Sequence, residues 1–329
     1  MQTWCYGSIR WGEEKLSHVL LRKDSKIVAA AQAVIFKAPK LPIGVAYVRW
    51  GPCWQVNGQP KDLEIFRRML QALYHIYVVQ RGLLLQVYPK AVENGHGILR
   101  PILEEEGFQR DPYGGPTRTL VMDLSHPLQE LRRSLKRKWR HNLVLAERNN
   151  LTITSGVDDR IFQDLMALQT ELKARKKWES IADRRYLTRV QRSLPTPFKM
   201  MCLVCRHNGE PASGVAVSTA GNTALLLLAP TGNKGLKLRS SYLLQWRLVE
   251  WLKSTNVRWY DLCYVSCNPN TGHDQFKSGL AGKLGLELDY VGAYQAGNYP
   301  LARFSVQAVE RSRNALFNLK HTLGLLVNG

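Results

Sequence analysis

The residues in this sequence best suited to chemistry are basic, and they are concentrated. Arg132, Arg133, Lys136, Arg137 and Arg140 all fall in the run 132–148. Read as a helix, they lie largely on one outer arc, opposite a narrow inward stripe of Leu128, Leu131, Leu135, Asn142 and Ala146. Such a face can neutralise several phosphates, with binding that weakens steeply in salt. The same pattern also suits a solvated helix between domains. Residues 126–200 carry 17 basic and 8 acidic side chains, nearly half of the +20 excess of the 329-residue chain. A local field of that kind suits nucleic acid, an anionic membrane surface or a phosphate-rich substrate.

A second basic cluster spans 173–177 and continues through Arg184, Arg185, Arg189 and Arg192, bracketing Trp178 and Tyr186. Basic residues interleaved with aromatics can track phosphates and stack bases, although core packing would use the same aromatics. The loop 232–241 runs from a predicted strand into a predicted helix. Free backbone N–H groups at such a helix start, with Lys237 and Arg239 nearby, make an anion site. Plain helix capping explains Ser240 and Ser241 equally well.

Asp261 at the end of a predicted strand, Tyr264 and His273 are candidate proton acceptors. Neither a Gly-x-Ser-x-Gly elbow nor an HExxH helix is present, so direct attack by an amine is expected rather than a covalent enzyme intermediate. Cys202 and Cys205 form a CxxC inside the predicted strand 198–206. Strand residues three apart point to opposite faces, which assigns these thiols to packing. Cys263 and Cys267 near His273 leave one alternative metal position, and no metal is expected. Six cysteines without regular spacing suit a reducing cytosol. No apolar run approaches the ~20 residues of a membrane span, and the first residues do not read as a secretion signal. A cytoplasmic monomer is expected, touching the inner membrane at most peripherally.

These residues need elements to hold them, and the hydrophobic pattern supplies two similar series. In the first, 18–22, 27–36 and 45–50 read as strands, 62–79 as a helix, 83–88 as a strand, 97–106 as a short helix and 117–124 as a last strand. The second series starts with a strand at 151–154 and helices at 159–173 and 183–193. A meander over 199–206, 212–219 and 224–229 follows, with Asn208-Gly209 as its first turn. Then come a helix at 239–254, a strand at 257–262, a short helix at 274–281 and a strand at 286–294. The segment 304–325 is amphipathic. Meander, helix and strand, twice over, predict an α/β protein of two tandem acyltransferase-like domains.

Four segments resemble the Fem family of peptidyltransferases, non-ribosomal enzymes that use aminoacyl-tRNA. Gly107-Phe108 followed by Thr119-Leu-Val-Met-Asp-Leu124 is similar to the motif closing the family's first domain. The run 131–153, with a stretch like Lys-x-x-Arg-x-Asn ending in Arg140-His-Asn142 and then Ala146-Glu147, is similar to its linker helix. Tyr260-Asp-Leu262 and Gln275-Phe-Lys-Ser-Gly-Leu280 complete the series in family order. The family's glycine after Tyr-Asp-Leu is Cys263 here, and no long helical-hairpin insertion is present.

The resemblance implies two GNAT-like domains over 1–125 and 126–302, a basic linker helix at 127–149, and a C-terminal helix at 303–329 returning to domain one. It implies an aminoacyltransferase that makes an amide between an amino acid from aminoacyl-tRNA and an amine acceptor. The acceptor is a peptidoglycan precursor or a small, phosphate-bearing or natural-product amine. Lys277, placed by Phe276, would act near the aminoacyl ester, and Asp261 stays a candidate proton acceptor. Arg185 and Tyr186 would touch a nucleotide-linked acceptor. No cofactor beyond the tRNA co-substrate is implied. The broader GNAT set adds the alternative of an acyl-CoA- or acyl-carrier-dependent N-acyltransferase. Those enzymes hold a pyrophosphate in the position of the 232–241 loop, through a glycine pattern that this loop lacks.

Overall fold

The computed structural model describes residues 2–37, 44–55, 58–93, 97–111, 118–176, 186–265 and 272–297. They form two compact units, one from the described residues up to 115 together with those from 290, the other between 116 and 289.

The first unit contains α1 (Trp4–Trp11), β1 (Leu16–Lys23), β2 (Lys26–Lys37), β3 (Gly44–Arg49), α2 (Leu63–Tyr74), β4 (Leu84–Tyr88), β5 (Val92–Glu93), α3 (Leu99–Glu105) and β6 (Gln109–Arg110). The second contains β7 (Arg118–Asp123), α4 (Leu128–Ser134), α5 (Arg137–Glu147), β8 (Leu151–Gly156), α6 (Asp159–Lys176), α7 (Tyr186–Ser193), β9 (Met201–His207), β10 (Glu210–Ala220), β11 (Thr223–Leu228), α8 (Asn233–Lys237), α9 (Ser240–Ser254), β12 (Trp259–Tyr264), α10 (Gly272–Ala281) and β13 (Gly285–Tyr290). The chain then returns to the first unit through β14 (Tyr294–Ala296).

In the first unit the sheet order is β1-β2-β3-β4-β14-β6, antiparallel except for β3 against β4. Period-two alternation along β2 sends Ala29, Ala31, Ala33 and Ile35 into the core with Phe66, Met69, Leu70 and Leu73 of α2. Asp62 starts α2 by accepting the Glu64 N–H at 3.0 Å.

In the second unit the order is β13-β7-β12-β11-β10-β9-β8. Asn208 and Gly209 both take positive φ, as a tight hairpin turn between β9 and β10 requires. One sheet face packs on α4, α5, α9 and α10 through Leu203, Cys205, Val215 and Val217. The other packs on α6 through Cys202, Val204 and Ala216. The two thiols of the CxxC therefore sit in different clusters, each buried. Burial pushes the Cys202 thiol up to about 12 and Cys205 up to about 11. Neither is expected to react with a thiol reagent at pH 8 in the folded protein. Mass mapping of labelled cysteines tests this; rapid labelling of either would contradict the packing role.

Three expectations change. The strand expected to close the first domain pairs as β7 with β12 and β13, so the boundary expected at 125 falls inside the second unit. The strand expected over 286–294 is two strands, β13 and β14, that serve different units; Gly292 takes φ +94 between them. The single linker helix expected over 127–149 breaks at Leu135 and Lys136, which are extended (ψ 138 and 144). The Ser134 hydroxyl donates to the Leu131 carbonyl, and the Lys136 N–H donates to Gly279 O at 3.1 Å instead of continuing the helix. Leu131, Leu135 and Trp139, on either side of the break, are all buried in the core. The helix expected over 303–329 lies outside the described residues.

Candidate active site

The site grows from a parting of two parallel strands. β11 and β12 pair from Thr223↔Trp259 to Leu225↔Asp261, and the register between them ends there although β11 runs on to Leu228. Ligands of open α/β sheets gather at the carboxyl ends of strands, where neighbours part. Against its other neighbour, β12 carries one extra residue between the pairs Asp261↔Val121 and Tyr264↔Thr119. A bulge of this kind re-aims the backbone.

Asp261 anchors the bulge. It is 4% exposed, and its Oδ1 accepts from Thr119 Oγ1 at 2.6 Å and from the Cys263 N–H at 2.8 Å. Cys263 takes φ +64, a left-handed conformation that costs a non-glycine residue about 1–2 kcal/mol. Its Sγ donates to Leu226 O at 3.0 Å, across the parting strands.

Lys277, on α10, is 4% exposed, and its Nζ donates to the Tyr264 carbonyl at 2.8 Å. Burial pushes its pKa down from the usual lysine value, while Cys263, Asp274 and Asp261 oppose that shift and favour the ammonium. Asp274 is buried in the first turn of the same helix; His273 beside it is exposed. The Tyr264 ring is exposed, so it is that residue's carbonyl that meets the lysine.

Phe276 packs against two aromatics that the sequence reading did not single out. Its ring centroid lies 5.0 Å from Tyr242 of α9 and 5.7 Å from Trp139 of α5, and those two rings are 5.1 Å apart. Tilted and edge-on pairs at this spacing are favourable. Gly279, one turn along α10, makes room: a Cβ there would lie 2.7 Å from Trp139 Cδ1. Burial raises the Tyr242 hydroxyl, opposed by its hydrogen bond to the Asn142 side chain. The Asn142 Oδ1 in turn accepts from Arg239 Nε at 2.9 Å. Asn142, read from the sequence as a member of the inward stripe and of the linker motif, thus ties Arg239 to Tyr242. A tryptophan four residues from both Leu135 and Leu143 was the sequence signal for Trp139, hidden among basic neighbours.

The other candidates are distributed. Lys237 and Arg239 are exposed around the end of α8 and the start of α9. At the start of the loop, the first amides of α8 are already engaged. The Gly232 N–H donates to Ala212 O at 2.9 Å, and the Asn233 N–H to Glu171 Oε1 at 2.8 Å. A carboxylate already fills the first turn of α8, and it would repel a phosphate. The Ser240 hydroxyl is buried and donates to Gly235 O, so it does not cap α9. Tyr186 is half-buried at the start of α7; Arg185 lies outside the described residues.

Among the five basic residues of the linker, Arg132 makes a bidentate pair with Glu147 at 2.8 and 2.6 Å, and Lys136 Nζ donates to the Ser278 hydroxyl. Both brace the protein itself. Arg133, Arg137 and Arg140 are exposed, the last donating to Arg133 O at 3.1 Å. Among the described residues, no cluster of three or more His, Cys, Asp or Glu is arranged to hold a metal, and no helix is long and apolar enough to cross a membrane.

Residues 129–278 match the family model described as an acetyltransferase (GNAT) domain. Comparison with curated proteins finds no match. Among solved structures, FemX is similar with a TM-score of 0.76 at 14% identity, covering 94% of each chain. L-PGS from Bacillus licheniformis is similar with a TM-score of 0.57 at 13% identity, covering 90% of this chain and 88% of that one. The match covers the linker helices, the parting strands and the helix of Lys277. The chain is therefore similar in fold to FemX, and residues 129–278 within it resemble a GNAT acetyltransferase domain.

Proposed function

We propose that this protein is an aminoacyltransferase that joins an amino acid from aminoacyl-tRNA to an amine acceptor, with Lys277 at the reacting carbonyl. The observation that carries this reading is the buried Lys277 Nζ, held by the Tyr264 carbonyl beside the parting strands and flanked by Phe276. The acceptor amine attacks the ester carbonyl carbon. Charge then develops on the carbonyl oxygen, and a fixed ammonium in a site of low dielectric stabilises it. The C–O bond to the ribose breaks, the ribose hydroxyl leaves with a proton, and the amide forms as the amine gives up its own. Phe276, Tyr242 and Trp139 form the wall that holds the lysine's helix in place. The acceptor class carried by this reading is a peptidoglycan precursor or a small natural-product amine.

Exposed Arg133, Arg137 and Arg140 are the cations that would face the tRNA phosphates. Replacing all three with alanine is expected to reduce the slope of log K against log salt for RNA binding by about 0.7–0.9 per lost contact. Fluorescence anisotropy with labelled tRNA over a salt series reads this. An unchanged slope would remove these residues from the interface.

A second reading, transfer from an acyl-CoA or acyl-carrier thioester, is favoured by the match to an acetyltransferase domain. The Glu171 carboxylate on the Asn233 amide weighs against a pyrophosphate at that turn. Incubation with radiolabelled aminoacyl-tRNAs and a panel of primary amines separates the two readings. Labelled amide is expected. Amide from CoA thioesters, with none from any charged tRNA, would replace the first reading by the second.

A further inference from the structure

We infer that Thr119, Asp261 and Cys263 form a positioning clamp that turns the Tyr264 carbonyl onto Lys277 and so fixes where the lysine's charge sits. The inference rests on the proposed role of Lys277 and adds residues that act through it.

The geometry is a short chain of dependence. Thr119 and Asp261 lie 142 positions apart in sequence, on adjacent antiparallel strands β7 and β12. The Thr119 hydroxyl, fully buried, donates to Asp261 Oδ1 at 2.6 Å. The same oxygen accepts the Cys263 N–H at 2.8 Å, which closes a tight loop over Leu262. Beyond that N–H, Cys263 at φ +64 turns the chain that follows, and its thiol ties the turn to Leu226 O on the diverging strand. The carbonyl of the following residue, Tyr264 O, receives Lys277 Nζ at 2.8 Å. The Thr119–Asp261 bond is buried and the other three bonds are part-buried, so loss of the Thr119 hydroxyl leaves a buried carboxylate oxygen short of a donor.

The carboxylate therefore acts by holding the backbone and by its field. Two donors already use one of its oxygens. From β12 the lysine's field includes Asp261 and Cys263; from its own helix it includes Asp274, with His273 adjacent. Removing the Asp261 charge removes one of the three groups that favour the ammonium.

Direct titration of Lys277 tests the clamp with no substrate present. The protein is labelled with [ε-13C]lysine, and the Lys277 signal is assigned by its absence in Lys277→Met. Asp261→Asn is expected to move the Lys277 midpoint to lower pH, with the neutral fraction at the wild-type midpoint rising from half to about nine-tenths for a move of about one pH unit. Thr119→Val is expected to move it the same way by less, and Thr119→Ser, which keeps the hydroxyl, to restore it. Midpoints unmoved in both Asp261→Asn and Thr119→Val, with the remaining lysine signals native, would overturn the clamp. If Thr119→Val does not fold, Asp261→Asn and Thr119→Ser decide alone: a lowered midpoint in the first and a native one in the second support it, and any other pair rejects it. The transfer role of Lys277 is judged separately, by Lys277→Ala in the amide assay. A failed clamp and a failed transferase reading therefore give different results.

Discussion

Lys277→Ala is expected to lower kcat/KM for amide formation by about 10²–10³-fold, the cost of losing one preorganised group that meets developing charge. The effect should fall on kcat more than on KM, because the charge it stabilises develops only during the reaction. Lys277→Arg is not expected to restore the rate. The site is 4% exposed, and a planar guanidinium cannot occupy the compact position from which the ammonium reaches Tyr264 O. The pH dependence follows from the sign of the shift. In the proposed role the ammonium is the active form, and burial brings its pKa below the lysine value of 10.5. Activity should therefore fall as pH rises through that lowered value, at lower pH than an exposed lysine would give. Stopped-flow or quenched transfer assays across pH read both effects. A rate in Lys277→Ala within threefold of wild type would remove this residue from the chemistry.

Trp139→Ala is expected to destabilise the second unit by about 3–5 kcal/mol, the usual cost of removing a large aromatic from a packed core. Its ring is 3% exposed and meets Tyr242, Phe276 and the space left by Gly279, so three helices lose a shared contact at once. Gly279→Ala should act on the same contact from the other side, since the added carbon would press on the indole backbone of the packing. Trp139→Phe should cost less than Trp139→Ala, because it keeps the ring contact. Urea unfolding monitored by circular dichroism reads the series, fitted for two units rather than as one transition. A loss under ~1 kcal/mol in Trp139→Ala would mean that α5 and α10 are held together by other means.

Much of the frame was readable because it depends on local rules. Period-two patterning and Asn208-Gly209 give the meander, and apolar spacing gives α6 and α9 close to their observed limits and the start of α2. The exchange of final strands was not readable. The segment 286–294 looks like one apolar strand, and only long-range pairing divides it: Leu286 with Val121 on one side, Tyr294 with Val87 on the other. The break in the linker was hidden for the same reason, since the partner of the Lys136 N–H lies at Gly279. The N-terminal helix α1 was not assigned from its sequence at all.

The site divides along similar lines. Phe276 and Lys277 were found through resemblance to a family motif, and the structure adds that the lysine is buried on a carbonyl. The aromatic wall and the Thr119–Asp261 bond need three-dimensional neighbours that no spacing announces. Charge counting marked Arg132 and Lys136 with their neighbours, but Glu147 and Ser278 satisfy those two within the fold. Patterning reports which residues are available; only packing decides which are already engaged.

The central claim is that the acyl group comes from charged tRNA. Its most direct test is transfer of a radiolabelled amino acid to an amine acceptor with the donor intact or pretreated with RNase, followed by separation of the amide product. Labelled amide that appears with intact aminoacyl-tRNA and is lost after RNase is the result expected. Label transfer that persists after RNase, or that requires a CoA thioester instead, would contradict it.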